Sequence, residues 1–259
     1  MRPVEEWLAR EIGLDVLSVG RQALAAAIAR RMDHCSLRDP SAYVRLLTGS
    51  REERVALIDA VVVPETWFFR DRGPFEHLVR HVTQVWLPAH RSGSLLILSV
   101  PCSTGEEPYS IAMALLDAGL RPGSFRIEAS DISVASLQRA EAAIYGPTSF
   151  RGSDISFRDR HFVARDGSFE LKPAVRSQVR FRPGNLLDPG FAAGSGPYDI
   201  VFCRNLIIYQ TDDARKSILR TLYGLTAPRG LLFVGHAELT SIMTERWTAV
   251  RQPCAFALM

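Results

Sequence analysis

Beyond Leu95 the chain settles into a repeating texture of a short apolar run, a turn and an amphipathic segment. Runs of that length bury as strands and amphipathic segments cover them as helices, so the texture predicts a parallel sheet with crossover helices. Leu95–Val100 reads as the first strand with Glu107–Ala118 as its helix, and Arg126–Ser130 as the second strand with Val134–Ala143 as its helix. Residues 149–182 break the rhythm. There Phe162-Val163 and Phe169–Leu171 flank Arg165-Asp-Gly-Ser168, and Asp-Gly is a favoured hairpin turn. The rhythm returns with Val179–Phe181, Tyr198–Cys203, a helix near Asp212–Leu225, the strand Gly230–Gly235 and a last strand near Cys254–Leu258. The expectation is an α/β domain over residues 93–259 with a small antiparallel β-insertion at about 149–182.

The first 62 residues show no strand pattern. Helical periodicity in Val4–Ile12, Arg21–Cys35, Ala42–Leu47 and Arg51–Val62 predicts a small all-helical domain. Ser18 and Ser41 stand where they can cap the second and third helices, with Asp39-Pro40 as the break between them. Residues 63–92 form a linker and helix: Val63-Pro64 interrupts the pattern, Asp71-Arg-Gly-Pro74 reads as a turn, and Phe75–Pro88 resumes helical spacing. At 259 residues and 47% hydrophobic, the chain can bury one larger domain and a companion.

No stretch nears the roughly 18–20 apolar residues of a membrane span, and the N-terminus lacks a signal peptide's basic-then-apolar order. A cytoplasmic location is expected, without membrane insertion. Cys35, Cys102, Cys203 and Cys254 form no CxxC pair, so neither a metal site nor a disulfide framework is expected. A net charge of +3 is too weak a bias to argue for nucleic acid. The excess gathers around Arg21, Arg30, Arg31 and Arg38. Those arginines are either a docking face for an acidic partner or a solvated helical surface.

Four strand ends carry chemistry. After Leu95–Val100 comes Pro101-Cys-Ser-Thr-Gly105-Glu-Glu-Pro108 at the first strand-to-helix turn, where nucleotide-like ligands sit in doubly wound sheets. The turn has one glycine and no GxGxxG fingerprint. Its plain reading is a turn in which Ser103 or Thr104 caps the helix. Glu106-Glu107 would repel a phosphate there, so a cationic ligand is preferred. Asp131 ends the second strand, placed either to accept from ribose hydroxyls or to cap the next helix. Gly184-Asn185-Leu186 follows a later strand and can frame an adenine. Arg204-Asn205 ends the apolar strand Ile200–Phe202, and such groups need partners if buried. Tyr209 can line that site or belong to the core.

Pro64-Glu-Thr-Trp-Phe-Phe-Arg70, Cys102-Ser-Thr-Gly-Glu-Glu-Pro-Tyr-Ser110, Ala129-Ser-Asp131-Ile132 and Phe202-Cys-Arg-Asn-Leu-Ile-Ile-Tyr209 resemble, in order, four signatures of the chemotaxis receptor methyltransferases, the CheR family. The resemblance runs on to Gly235-His-Ala-Glu238 and covers essentially the whole chain. It implies a Rossmann-like methyltransferase domain behind a helical domain, with S-adenosylmethionine as methyl donor and S-adenosylhomocysteine as product. By position, it implies that Thr66 and Arg70 close over the cofactor, the backbone at Pro101 contacts it and Glu107 holds its cationic methionine portion. Asp131 beside Ile132 takes the ribose, Asn185 and Leu186 flank the adenine, and Arg204 and Tyr209 lie beside the methyl and the incoming glutamate. It also implies that the helix around Arg21–Arg38 faces the acidic cytoplasmic helices of a methyl-accepting receptor.

Three positions depart from the family pattern: Pro101 in place of a small residue, Gln210 in place of an aromatic and Arg229-Gly230 in place of Gly-Gly. The last two read as peripheral. A compact insertion points to a pentapeptide-independent member, and the proline-containing turn is similar to versions tied to surface sensing. Those versions carry tetratricopeptide repeats, of which this sequence has none, so the chain reads as a short form or a catalytic module.

The implied reaction moves a methyl group from a sulfonium to a glutamate oxygen. A glutamate with an ordinary pKa near 4.3 is already ionised at neutral pH, so no general base is required. Placement does most of the work and can supply on the order of 7–11 kcal/mol. Arg70 and Tyr209 are the expected catalytic residues, orienting the carboxylate. The rival readings are a methyltransferase of a small molecule or RNA and a non-catalytic cofactor sensor.

Overall fold

The computed structural model describes residues 1–90, 93–152, 154–238, 247–252 and 255–258. It opens with five helices: α1 (Arg2–Ile12), the short α2 (Val16–Val19), α3 (Arg21–His34), α4 (Pro40–Gly49) and α5 (Arg51–Val61). Their apolar faces meet in one core built on Trp7, Leu8, Ile28, Tyr43, Leu47 and Leu57. Two caps differ from expectation. Asp39, not Ser41, caps α4, accepting from the amides of Ser41 and Ala42. Pro40 already occupies the first helical turn, and this places Ser41 inside the helix. Ser18 lies within α2 and donates to the Asp15 carbonyl, while Gly20 stands at the start of α3 without a side-chain cap.

The linker leads into α6 (Gly73–His81), a π turn over Val82–Trp86 and α7 (Leu87–Ala89). Sequence spacing suggested one helix over Phe75–Pro88. Pro88 has no N–H to donate and its ring crowds the carbonyl four residues back, so the helix widens ahead of it.

The α/β part runs β1 (Leu95–Ser99), α8 (Glu106–Asp117), β2 (Phe125–Asp131), α9 (Val134–Ala142), β3 (Ile144–Tyr145), α10 (Ser156–His161), β4 (Phe162–Arg165), β5 (Ser168–Leu171) and α11 (Pro173–Arg176). It continues with β6 (Val179–Pro183), β7 (Tyr198–Cys203), α12 (Asp212–Leu225), β8 (Thr226–Val234), β9 (Ala249–Gln252) and β10 (Ala255–Leu258). The main sheet has seven strands in the order β6-β2-β1-β7-β8-β10-β9. Its first five strands are parallel and β10 runs antiparallel to both neighbours. This is a Rossmann-like α/β fold. Alternate residues serve opposite faces, as the two-residue period of a strand requires. Ile97, Phe202 and Phe233 pack under α6 and α8, whereas Leu98, Val201 and Leu232 pack against α12.

β4 and β5 form the expected hairpin, with Arg165 opposite Ser168 and Asp166-Gly167 at positive φ between them. β3 pairs with β5 and completes a three-stranded sheet. Phe68 of the linker is buried among Tyr145, Phe150 and Phe162 of this subdomain, with ring centroids 4.8–5.2 Å apart. That aromatic packing fixes the linker over the strand ends. The last expected strand begins at Ala255, since Cys254 lies outside the described residues, and β9 was not expected from its sequence.

β8 starts earlier than Gly230, because Thr226 already pairs with Tyr198 before the register slips near Arg229. Exposed Arg229 sits at φ +67, a conformation that costs an L-residue about 1–2 kcal/mol. Arg229→Gly is expected to raise Tm by about 2 °C, after allowing for the entropy glycine adds to the unfolded chain. An unchanged or lower melting temperature in a thermal scan would show that the site bears no such strain.

Candidate functional site

A cavity of about 410 Å³ opens beyond the carboxyl ends of β1, β2, β6 and β7. Crossover helices leave this end of a parallel sheet open, so loops define what collects there. The linker from Val61 to Arg70 closes one side and the Ile12–Val19 segment another. Thr66, Arg70, Pro101, Glu107, Asp131, Ile132, Asn185, Leu186, Arg204 and Tyr209 all line it.

The Gly105 backbone, at φ +94, starts α8, and no side chain caps this helix. Neither expected cap forms: Thr104 donates its hydroxyl to Glu106 Oε2 at 2.6 Å, and the Ser103 hydroxyl has no partner among the described residues. Glu106 is buried and also accepts from Ser149 at 2.9 Å, and this contact links the turn to the subdomain. Its neighbour Glu107 faces the cavity. It accepts from Ser99 Oγ at 2.8 Å and from Arg204 Nη1 at 3.1 Å. Burial pushes the Glu107 carboxyl above its ordinary range, against the opposing pull of Arg204.

Arg204 is almost wholly buried, with 2% of its side chain exposed, so its charge must be met inside the protein. Nη2 completes the pairing on Asp71 at 2.7 Å and on the Arg70 carbonyl at 3.2 Å. The guanidinium therefore joins the β7 loop, the first strand-to-helix turn and the linker. Arg70 is half-buried, stacks 4.5 Å over Trp67 and donates to the Glu65 carbonyl at 2.7 Å. Among the described residues it forms no ion pair.

Asp131 does not cap α9; Ser133 does. Instead its two oxygens accept the amides of Ser103 at 2.7 Å and Ser133 at 2.9 Å. A carboxylate has about four acceptor sites, so capacity remains for a ligand. Asn185 donates to the Glu11 carbonyl at 2.8 Å and accepts the Leu187 amide at 3.0 Å, tying the cavity floor to α1. Tyr209 is half-buried on the wall rather than in the core.

Two expectations about other residues change. Arg31 is not presented to a partner. It lies on the stripe of buried Leu24, Ala27, Ile28 and Met32, and binds buried Glu53 at 3.0 and 2.5 Å, with Tyr43 as a further donor to the same carboxylate. Arg21, Arg30 and Arg38 are exposed and form no ion pair among the described residues. Gln210 is not peripheral: it is buried, and with its amide nitrogen facing α1 it donates to the Ile12 and Gly13 carbonyls at 3.0 and 3.2 Å. Gly13 leaves room for it, since a Cβ there would lie 2.3 Å from the end of the Gln210 amide that faces α1. Sequence reasoning also missed the apolar wall of Leu14, Val19 and Val62. Its sole trace was an apolar sequence next to a helix break.

The cavity's chemistry fits a cationic adenosine compound. Glu65, Glu107 and Asp131 outnumber Arg70 and Arg204 on its wall, while Ile132, Leu186 and Leu187 supply apolar surface. The Ser103 hydroxyl and Arg204 Nε are buried there without partners among the described residues, which leaves donors for a ligand.

The profile of the family described as "CheR methyltransferase, SAM binding domain" matches residues 64–256. The chain is 46% identical over 253 residues to the "Probable biofilm formation methyltransferase WspC" of Pseudomonas aeruginosa, covering 97% of this chain and 60% of that protein. It is 39% identical over 213 residues to "Chemotaxis protein methyltransferase 2" of Vibrio cholerae, covering 81% and 73%. With the "Chemotaxis protein methyltransferase" of Escherichia coli it shares 33% over 264 residues, covering 99% and 90%. The chain thus spans about 60% of the length of the WspC relative. Profile and relatives together show that the chain belongs to the CheR methyltransferase family.

Proposed function

We propose that this protein is an S-adenosylmethionine-dependent protein-glutamate O-methyltransferase acting in the cytoplasm on helical signalling regions of methyl-accepting chemotaxis-type receptors. The observation that carries the reading is the convergence of Glu107 and Asp131 on one cavity with Arg70, Arg204 and Tyr209. On this reading Asp131 takes the ribose hydroxyls, Ile132 and Leu186 pack on the adenine with Asn185 beside it, and Glu107 holds the cationic methionine end. Thr66 and Pro101 complete the wall. When bound, S-adenosylmethionine supplies an electrophilic methyl group on a sulfonium.

The chain's own task is then to orient a carboxylate that is already ionised. Arg70 suits this role because its guanidinium is held by Trp67 and a carbonyl rather than by an acid. It can steer the substrate oxygen without locking it in a tight ion pair. Tyr209 offers a second polar group at the wall. A buried, water-poor site favours the step, since opposite charges are annihilated as the methyl moves. Exposed Arg21, Arg30 and Arg38 support docking of an acidic receptor helix on residues 1–62.

Incubation with tritiated S-adenosylmethionine and candidate receptors should give protein label released by mild alkali, as expected of a glutamyl ester. Label that resists alkali would point to another acceptor group. Arg70→Ala should retain the fold and lose turnover by roughly 10- to 100-fold, the scale of a lost orienting contact. Unchanged turnover would remove Arg70 from the reaction.

A further inference from the structure

Glu238 ends the Gly235-His-Ala-Glu238 motif, is wholly buried, and does not line the cavity. Its carboxylate accepts four backbone N–H groups. Oε1 takes those of Leu206 and Ile207 at 2.8 and 2.7 Å, and Oε2 takes those of Asn205 and Gly235 at 2.9 and 2.6 Å. Three of the donors are consecutive amides of the loop after β7. That loop carries Arg204 at one end and Tyr209 at the other, and both line the cavity. Asn205 sits at φ +59, in the left-handed region that asparagine tolerates better than most residues, so the chain turns sharply there. Gly235 is what makes the contact possible. A Cβ there would lie 2.6 Å from Glu238 Oε2 and 3.1 Å from the Asn205 nitrogen.

We propose that Glu238 is a positioning residue for methyl transfer: its carboxylate fixes the backbone of Asn205, Leu206 and Ile207, and thereby aims Arg204 at Glu107 and keeps Tyr209 at the cavity wall. The assignment rests on the reading of the cavity as an S-adenosylmethionine site. Charge-assisted bonds to backbone amides are stronger than neutral ones, and a carboxylate can receive all four where a glutamine cannot. The glutamine amide would turn an NH₂ group toward N–H donors.

The experiment uses the full chain and Glu238→Gln. Calorimetry with S-adenosylhomocysteine should show about tenfold weaker binding, from the displaced Arg204–Glu107 pair. Turnover on receptor should fall by roughly a hundredfold while the receptor KM moves less than about threefold. Hydrogen exchange should quicken at the amides of residues 205–207 in the folded variant. Glu238→Gln with a lower Tm but wild-type affinity and turnover would mean a purely structural residue and overturn the proposal. If that variant does not fold, Gly235→Ala decides, because it keeps the carboxylate and displaces it: reduced affinity and turnover support the assignment, and wild-type values overturn it. Wild-type protein that binds no S-adenosylhomocysteine would sink the reading of the cavity, and this proposal with it.

Discussion

Asp131→Ala is expected to weaken S-adenosylhomocysteine binding by about two orders of magnitude and to lower the melting temperature as well. Both losses follow if the residue holds the ribose, as proposed, as well as the two amides it accepts. A hydrogen bond to a charged group contributes about 1.5–3 kcal/mol, so even at the lower end of that range the loss of two ribose hydroxyls would amount to about a hundredfold in affinity. The stability loss has a separate origin: alanine strands the amides of Ser103 and Ser133, which the carboxylate now satisfies. Asp131→Asn separates the effects. It keeps the shape and one acceptor, so its melting temperature should fall less while affinity still drops at least about tenfold. Calorimetry that finds the asparagine variant within threefold of wild type would remove Asp131 from the ligand site.

A pH dependence accompanies this. Burial raises the Asp131 carboxyl above its ordinary range, the Ser133 and Ser103 amides oppose it, and the nearby Asp59 charge adds to the rise. Protonation removes acceptor capacity, so ligand affinity should fall on acidification, starting above the pH at which a free carboxyl titrates. In Asp131→Asn this part of the profile should be flatter.

Arg204→Ala should give the largest loss of stability. Removing one partner from a buried pair leaves an uncompensated charge and costs about 3–5 kcal/mol. Glu107 is 12% exposed and Asp71 50% exposed, so solvent relieves the second carboxylate and the lower end of that range, about 3 kcal/mol, applies. For a chain of this size that corresponds to a drop in Tm of about 6–12 °C. The diagnostic result is a partial rescue. Arg204→Ala combined with Glu107→Gln should melt higher than Arg204→Ala alone, because the second change removes the orphaned charge. A double variant no more stable than the single one would mean that lost packing on Phe75, rather than lost pairing, sets the cost.

Much of this molecule could be read along the chain. Tyr198–Cys203 and Asp212–Leu225 were expected with the bounds they have, since a strand-length run that is apolar but for Asp199 and a capped amphipathic helix are local patterns. The Asp166-Gly167 hairpin was equally local. What escaped was decided at a distance. Arg31 looked like a surface charge until α5 placed Glu53 against it. Gln210 looked incidental until α1 supplied the carbonyls it binds. The motif ending at Glu238 gave no hint of what the carboxylate holds, because three of its four donors lie 31–33 residues away along the chain.

The sequence by itself therefore determined the parallel sheet, the helices that cover it and the residue types delivered to the strand ends, because side-chain period and turn chemistry act over a few residues. Tertiary structure alone decided which buried charges meet. Arg204 reaches Asp71 across 133 positions and Asn185 reaches the Glu11 carbonyl across 174. A buried charge or amide must find a partner wherever packing brings one, and no local pattern records which partner that will be.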